Sequence, residues 1–263
     1  MTRRPLAGTG WKMNFDSAAA RAYAVALRAE LATIEHGQTD IFVLPPFTSL
    51  HEAKAAFAGS PVAIGGQNMH WEPSGAWTGE ISAPMLTDAG CRFVELAHSD
   101  RLQHFGESYE AVRLKVNSAF AHDLIPILCI GEMADEKAAG RTDAVLEYQL
   151  LTALADQSPQ TAPKAVIAYE PRWAIGANSA ADPAYVAERH AFIRSVIAKR
   201  FGAAAAEAAR IVYGGSVNQQ NGAALAALAD VDGLFVGRAA WTPEGFADII
   251  RIVSRAAAEK ERQ

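Results

Sequence analysis

Short runs of β-branched and other apolar residues alternate along this chain with longer stretches in which apolar positions recur at helical spacing. The runs are Pro5 to Gly10, Ile41 to Leu44, Val62 to Gly65, Arg92 to Leu96, Ile125 to Ile130, Ala165 to Tyr169, Arg210 to Tyr213 and Leu234 to Val236. Ile-Phe-Val-Leu and Ile-Pro-Ile-Leu-Cys-Ile are apolar at nearly every position, which suits parallel strands covered on both faces. Between the runs, Tyr109, Val112, Val116 and Phe120 fall on one helical face, as do Phe246, Ile249, Ile250 and Val253. Asp182-Pro183 and Thr242-Pro243-Glu244 each set a capping side chain directly before a proline suited to a first helical turn. The alanine-rich stretch Ala203 to Ala209 reads as a helix end and its connection.

Eight candidate strands with helices between them predict an α/β fold, a single (β/α)8 barrel over residues 1–263. A doubly wound open sheet is the alternative. Neither a Pro/Ser-rich linker nor a low-complexity tract divides the chain, so one domain is expected.

Composition narrows the function. Half the residues are hydrophobic and 20% are charged, as in a globular chain with a large core. The net charge of −5 offers no basic footprint for nucleic acid or an anionic membrane, so any anion must be bound locally. No stretch reaches the roughly 18 apolar residues of a membrane span, and the amino terminus lacks the apolar segment of a signal peptide. Cys91 and Cys129 each lie in an apolar run without metal-type spacing, which predicts buried, reduced thiols and a cytoplasmic location.

In a parallel barrel the loops after the strands form one face, where sites are built. Here Lys12 follows the first run, His98 the fourth and Glu170 the sixth, while Gly214-Gly215-Ser216 and Gly237-Arg238 follow the seventh and eighth. The glycines let backbone N–H groups approach an anion as a phosphate cradle. A lysine, a histidine and a glutamate facing that cradle supply a cation, a hydrogen-bond partner for a carbonyl, and a base. No metal-ligand cluster is evident, and the set suits proton abstraction beside a carbonyl. His36, His51, His70, His104, His122 and His190 have no comparable setting.

These segments resemble the triosephosphate isomerase family over essentially the whole chain. The motifs are Trp-Lys-Met-Asn at 11 to 14, Gly-Gln-Asn at 66 to 68, Trp-Thr-Gly-Glu-Ile-Ser at 77 to 82, and His-Ser at 98 to 99. They continue with Pro-Ile-Leu-Cys-Ile-Gly-Glu at 126 to 132, Ala-Tyr-Glu-Pro at 168 to 171, Trp-Ala-Ile-Gly at 173 to 176 and Tyr-Gly-Gly-Ser-Val at 213 to 217. The resemblance implies an enediol isomerase of small sugar phosphates, with no metal and no organic cofactor. It implies Glu170 as the base, His98 as the neutral electrophile and Lys12 as the positive charge at the substrate. It also implies a lid from Pro171 to about Ala180, a phosphate site of Gly176, Ser216, Gly237 and residue 238, and a homodimer made through the loop around Thr78.

The chain departs from the glycolytic pattern at several of these places. Gly10 stands where the family usually has an asparagine, Asp100 where a glutamate follows His-Ser, and Leu102 for the second arginine of a pair. Arg172 and Ala177-Asn178-Ser179 alter the two ends of the lid, and Arg238 replaces a phosphate-turn glycine. Asn-Met-His-Trp at 68 to 71, Gly-Ala-Trp-Thr-Gly at 75 to 79, Val-Glu-Leu at 94 to 96 and Gly-Leu-Phe-Val-Gly-Arg-Ala-Ala-Trp at 233 to 241 are more similar to the erythrulose-phosphate isomerases, a paralogous branch. The expectation leans to L-erythrulose 1-phosphate, admitted where Gly10 enlarges the pocket. Dihydroxyacetone phosphate is the alternative substrate, and a catalytically silent sugar-phosphate-binding barrel ranks third. Asp100, one methylene shorter than the usual glutamate, is expected to misplace a carboxylate that helps order Lys12.

Overall fold

Each apolar run forms a strand in the computed structural model, which describes residues 3–176 and 181–262. The strands are β1 (Leu6–Gly10), β2 (Asp40–Leu44), β3 (Val62–Gly66), β4 (Phe93–Leu96), β5 (Ile125–Ile130), β6 (Val166–Tyr169), β7 (Arg210–Tyr213) and β8 (Gly233–Val236). They close in sequence order into a parallel barrel, with β1 paired to both β2 and β8. Closure excludes the open doubly wound sheet.

Alternation along the strands divides the core in two. Leu6, Phe42, Leu44, Phe93, Ile127, Val166, Val212 and Phe235 form a cluster inside the barrel, where the Phe42 ring lies 4.9 Å from that of Phe93 and 5.5 Å from that of Phe235. Their neighbours Ala7, Ile41, Val43, Val94, Ile167 and Ile211 belong to the larger cluster packed under the helices. The same period of two puts Gly10, Glu95 and Glu170 on the inner side, above the apolar plug.

The covering helices follow the sequence pattern. Helix α5 (Tyr109–Ala121) buries Tyr109, Val112 and Val116, and α11 (Pro243–Lys260) buries Phe246, Ile249, Ile250 and Val253. Asp182 caps α8 (Pro183–Phe201) by accepting from the Ala184 N–H at 2.8 Å, and Thr242 caps α11 by accepting from Gly245 at 3.2 Å. One expectation needs correction: Ala203–Ala208 is a separate helix, α9, and not the tail of α8. Gly202 makes the break at φ +93°, a conformation that halts α8 and that an L side chain resists.

Candidate active site

The carboxyl ends of the strands enclose a cavity of about 530 Å³. Lys12, His98 and Glu170 line it together with Gly10, Gly176, Ser216, Gly237 and Arg238, so the residues singled out in the sequence meet in one place.

Glu170 follows β6 and is buried. Glycines make room for it: a Cβ on Gly131 would stand 1.9 Å from the Glu170 carbonyl oxygen, and one on Gly214 would stand 2.7 Å from Oε1. Among the described residues its Oε2 has no hydrogen-bond partner, and it lies 3.9 Å from Nε2 of His98. Burial pushes the carboxyl up to about 8, with the charge of Asp100 adding to the rise and Lys12 and Arg172 opposing it.

His98 caps a short helix, α4 (Ser99–His104), and its Nδ1 accepts the backbone N–H of Asp100 at 3.0 Å. That bond places the ring hydrogen of the neutral imidazole on Nε2, facing the cavity. Burial first, then the nearby Lys12 ammonium, hold its pKa down to about 4, so the ring is neutral near pH 7. The backbone here is strained, since Lys12 and Ala97, the residue before His98, both have positive φ, 52° and 62°. The side-chain amide of Gln67 holds the first of these turns by donating to the Lys12 carbonyl at 2.9 Å. The Lys12 ammonium lies 3.1 Å from Asp100 Oδ2, so the shorter acid does reach its lysine, contrary to the expectation.

On the opposite wall, Gly214, Gly215, Ser216, Gly237 and Arg238 line the cavity after β7 and β8. The side-chain amide of Asn221 donates to the Ser216 carbonyl at 3.0 Å and fixes that turn. The leading end of the segment that the resemblance implies as a lid is tethered by buried Glu132, which accepts from Trp173 Nε1 at 2.7 Å and Tyr185 Oη at 2.8 Å. Ala181, just past that segment, donates its N–H to Tyr213 Oη at 3.3 Å. Ala177 to Ala180 lie outside the described residues.

Sequence reasoning missed Glu95, Phe235 and Trp241, which complete the floor beside Gly10. The Trp241 indole N–H donates to the Gly10 carbonyl at 3.0 Å. The signal for Glu95 was a carboxylate inside the apolar run Phe-Val-Glu-Leu. It also overturns the reading that no metal-type cluster exists, since ligating atoms of Glu95, His98 and Glu170 all lie within 4.8 Å of one another. His98 nevertheless presents an N–H and not a lone pair to that space, which suits a carbonyl oxygen better than a cation.

A parallel barrel with a buried carboxyl, a neutral imidazole and an ammonium sharing a cavity with glycine-rich turns fits the class of barrel enzymes that move protons on small anionic substrates. The family model for triosephosphate isomerase matches residues 5–253. The chain is 45% identical to a triosephosphate isomerase of Symbiobacterium thermophilum, over 97% of this chain and 99% of that one. It is 46% identical to an L-erythrulose-1-phosphate isomerase of Brucella abortus, over 92% and 94% of the two chains. A protein of that same name from Rhizobium etli is 45% identical over 95% and 92%. The chain belongs to the triosephosphate isomerase family and is a sugar-phosphate isomerase of that type.

Proposed function

We propose that the substrate is L-erythrulose 1-phosphate and that Glu170, His98 and Lys12 carry its isomerisation through an enediolate. The phosphate ester occupies C1, so C3 is the only carbinol beside the C2 carbonyl. Glu170 as carboxylate takes the C3 proton, and the C–H electrons form the C2–C3 double bond while charge moves to the carbonyl oxygen. The Nε2–H of His98 and the Lys12 ammonium stabilise that charge, and His98 passes a proton between the two oxygens. Protonated Glu170 then returns its proton to C2, which leaves the carbonyl at C3. On dihydroxyacetone phosphate the same steps give an aldose. Ser216, Gly237, Arg238 and the lid residue Gly176 hold the phosphate, and closure excludes water from the enediolate. Nothing in this sequence of steps calls for a metal or an organic cofactor.

The observation that carries the choice of substrate is the floor at Gly10. A Cβ there would meet Phe235 at 3.5 Å and Glu95 Oε2 at 3.8 Å, so an alanine-sized group fits but a longer side chain would enter the cavity. The space is thus smaller than a missing asparagine suggests, and it is edged by a carboxyl. The relatives named for L-erythrulose 1-phosphate support this reading, and the Symbiobacterium relative supports the triose. The test is kcat/KM for L-erythrulose 1-phosphate and dihydroxyacetone phosphate in wild type and Gly10→Asn. Expected is a wild-type preference for the tetrulose that drops roughly tenfold or more in the variant, as one group in a pocket commands about 1–3 kcal/mol. A wild-type preference for the triose, unchanged by asparagine, would return the chain to the glycolytic reaction. Turnover of neither substrate, with binding intact, would make it the silent barrel.

We also infer a cytoplasmic homodimer. The loop around Thr78 is exposed throughout and carries Trp77, 48% exposed, while Met13 beside Lys12 is 96% exposed. Such apolar side chains around a catalytic mouth suit a second copy of the chain. Cys91 and Cys129 are buried and free, as suits a reducing compartment, and no helix among the described residues is long and apolar enough to cross a membrane. Light scattering should give twice the chain mass for wild type and a lower mass for Thr78→Asp. A monomeric wild type overturns the inference.

A further inference from the structure

The reaction proposed above uses one buried carboxyl, and the cavity holds two. Glu95 is only 6% exposed, yet it lines the cavity and points inward from β4 in the same alternation as Phe93. No ion pair holds it among the described residues. Its hydrogen-bond partner there is the Cys129 thiol, whose sulfur donates to Oε1 at 3.9 Å, a weak bond. Its Oε2 faces the space at Gly10. A carboxyl buried with so little compensation is costly, and a ligand hydroxyl is the kind of group that would complete it.

We propose that Glu95 selects the length of the substrate by hydrogen-bonding the hydroxyl of the hydroxymethyl group by which a four-carbon ketose phosphate exceeds the triose. The inference rests on the reading of the reaction given above. The extra carbon is attached to C3, the carbon that Glu170 deprotonates, and so lies at the end of the substrate away from its phosphate. The cradle comes from β7, β8 and the lid, whereas Glu95 comes from β4, beside His98 and Glu170, and Gly10 from β1 faces Glu95. Burial, and then the charges of Glu170 and Asp100, hold the Glu95 carboxyl well above the usual carboxylate range, with Lys12 opposing. A neutral carboxylic acid offers one donor and one acceptor, which matches the acceptor and donor of a primary hydroxyl. A triose leaves both unanswered.

The experiment compares Glu95→Val and the near-isosteric Glu95→Gln with wild type. It reads kcat/KM for L-erythrulose 1-phosphate and dihydroxyacetone phosphate, and calorimetric affinities for L-erythrulose 1-phosphate and 2-phosphoglycolate, with folding checked by circular dichroism. Valine should lower the tetrulose-to-triose ratio roughly 10- to 100-fold, and glutamine should restore most of it. The affinity ratio of the tetrulose phosphate to 2-phosphoglycolate should fall in step. Unchanged ratios, or parallel losses on both substrates, overturn the proposal, the second because it would show Glu95 acting through the base common to both. If Glu95→Val fails to fold, Glu95→Gln and Glu95→Met decide by the same ratios. A wild type that prefers the triose defeats the reading of the reaction, while the affinity ratios still judge Glu95 separately.

Discussion

The two ends of the barrel bury the same kinds of group, but only the cavity end leaves some of them open. At the amino ends of the strands the buried charges of Asp40, Asp232 and Arg194 are answered. Asp40 accepts from Arg210 at 2.7 Å and pairs with Arg4 at 2.8 Å. Asp232 pairs with Arg3 at 2.6 Å and Arg194 at 2.9 Å and also accepts the Ile211 N–H at 2.8 Å. Arg194 donates further to the Ala206 and Ala209 carbonyls at 2.6 and 3.0 Å, tying α9 to the barrel. At the carboxyl ends Glu132 is held by Trp173 and Tyr185, but among the described residues Glu170 has an oxygen with no hydrogen-bond partner, Glu95 has only a thiol, and His98 stands 3.9 Å from Glu170, too far for a hydrogen bond. Paired charges hold a fold in place. Unpaired ones carry shifted proton affinities and wait for a ligand to complete them.

The comparison is broken most directly by making the same kind of change at each end. Glu170→Gln should lower kcat roughly 10²–10⁴-fold, the span for losing a general base. A near-normal rate would remove Glu170 from the reaction. The same variant should be more stable than wild type by up to about 5 kcal/mol at pH 8 and above. The sign follows from a folded pKa of about 8 against 4.5 for the free group. The unfolded chain sheds this proton first, so the native state loses stability as pH rises between those values, and the gain vanishes below about pH 4. At the other end, Asp232→Ala leaves Arg3 and Arg194 short of a partner and should cost roughly 3–5 kcal/mol of stability in chemical denaturation. Its kcat/KM, measured where it is still folded, should stay within about threefold of wild type, a surplus over which would mean the two ends are not separate.

Most of this architecture was readable because the barrel's demands are local. A strand covered on both faces is apolar throughout, and all eight such runs became strands with ends shifted by a residue or so. Lys12, His98 and Glu170 were found because each directly follows a strand, and strand order alone then brings them together. Glu95 was passed over since it sits within a strand, where only the barrel's inward alternation separates a cavity-facing carboxyl from a lipid-like core position. The reach of Asp100 to Lys12 was misjudged for a related reason. The distance depends on the left-handed turn at Lys12, which no residue type announces. Gly202 illustrates the reverse, a break between α8 and α9 that was available from one glycine but outweighed by its alanine neighbours.

A smaller effect sharpens the contrast at the mouth itself. With Glu170 held up to about 8 and active only as carboxylate, kcat/KM should climb about tenfold per pH unit on the acid side and level off above pH 8. Asp100→Asn removes a charge that raises this pKa, and it frees the Lys12 ammonium to act on Glu170, so both changes shift the limb to lower pH. An ionisation of the substrate phosphate would give a limb that the variant leaves in place. A pH-rate profile of both proteins therefore separates the two origins, and a limb that stays fixed would show that Glu170 does not set it.

Arg238 offers the smallest effect, because among the described residues of the proposed cradle it is the one charged side chain and it is exposed. Glycine-rich turns bind phosphate through backbone N–H groups, which a substitution at position 238 leaves in place, so the guanidinium adds only a screened attraction from the rim. Arg238→Gly should raise KM by about two- to fivefold at low ionic strength, in line with up to about 1 kcal/mol for an exposed pair, with kcat within about twofold. The difference should shrink as salt is raised to several hundred millimolar, where the screening length falls to a few ångströms. Salt-independent loss would mean that Arg238 makes a shielded, direct contact once the lid is closed, and the rim would then belong with the floor among the desolvated groups of the site. No change in KM at any ionic strength would leave the phosphate to the backbone of the Ser216 and Gly237 turns alone.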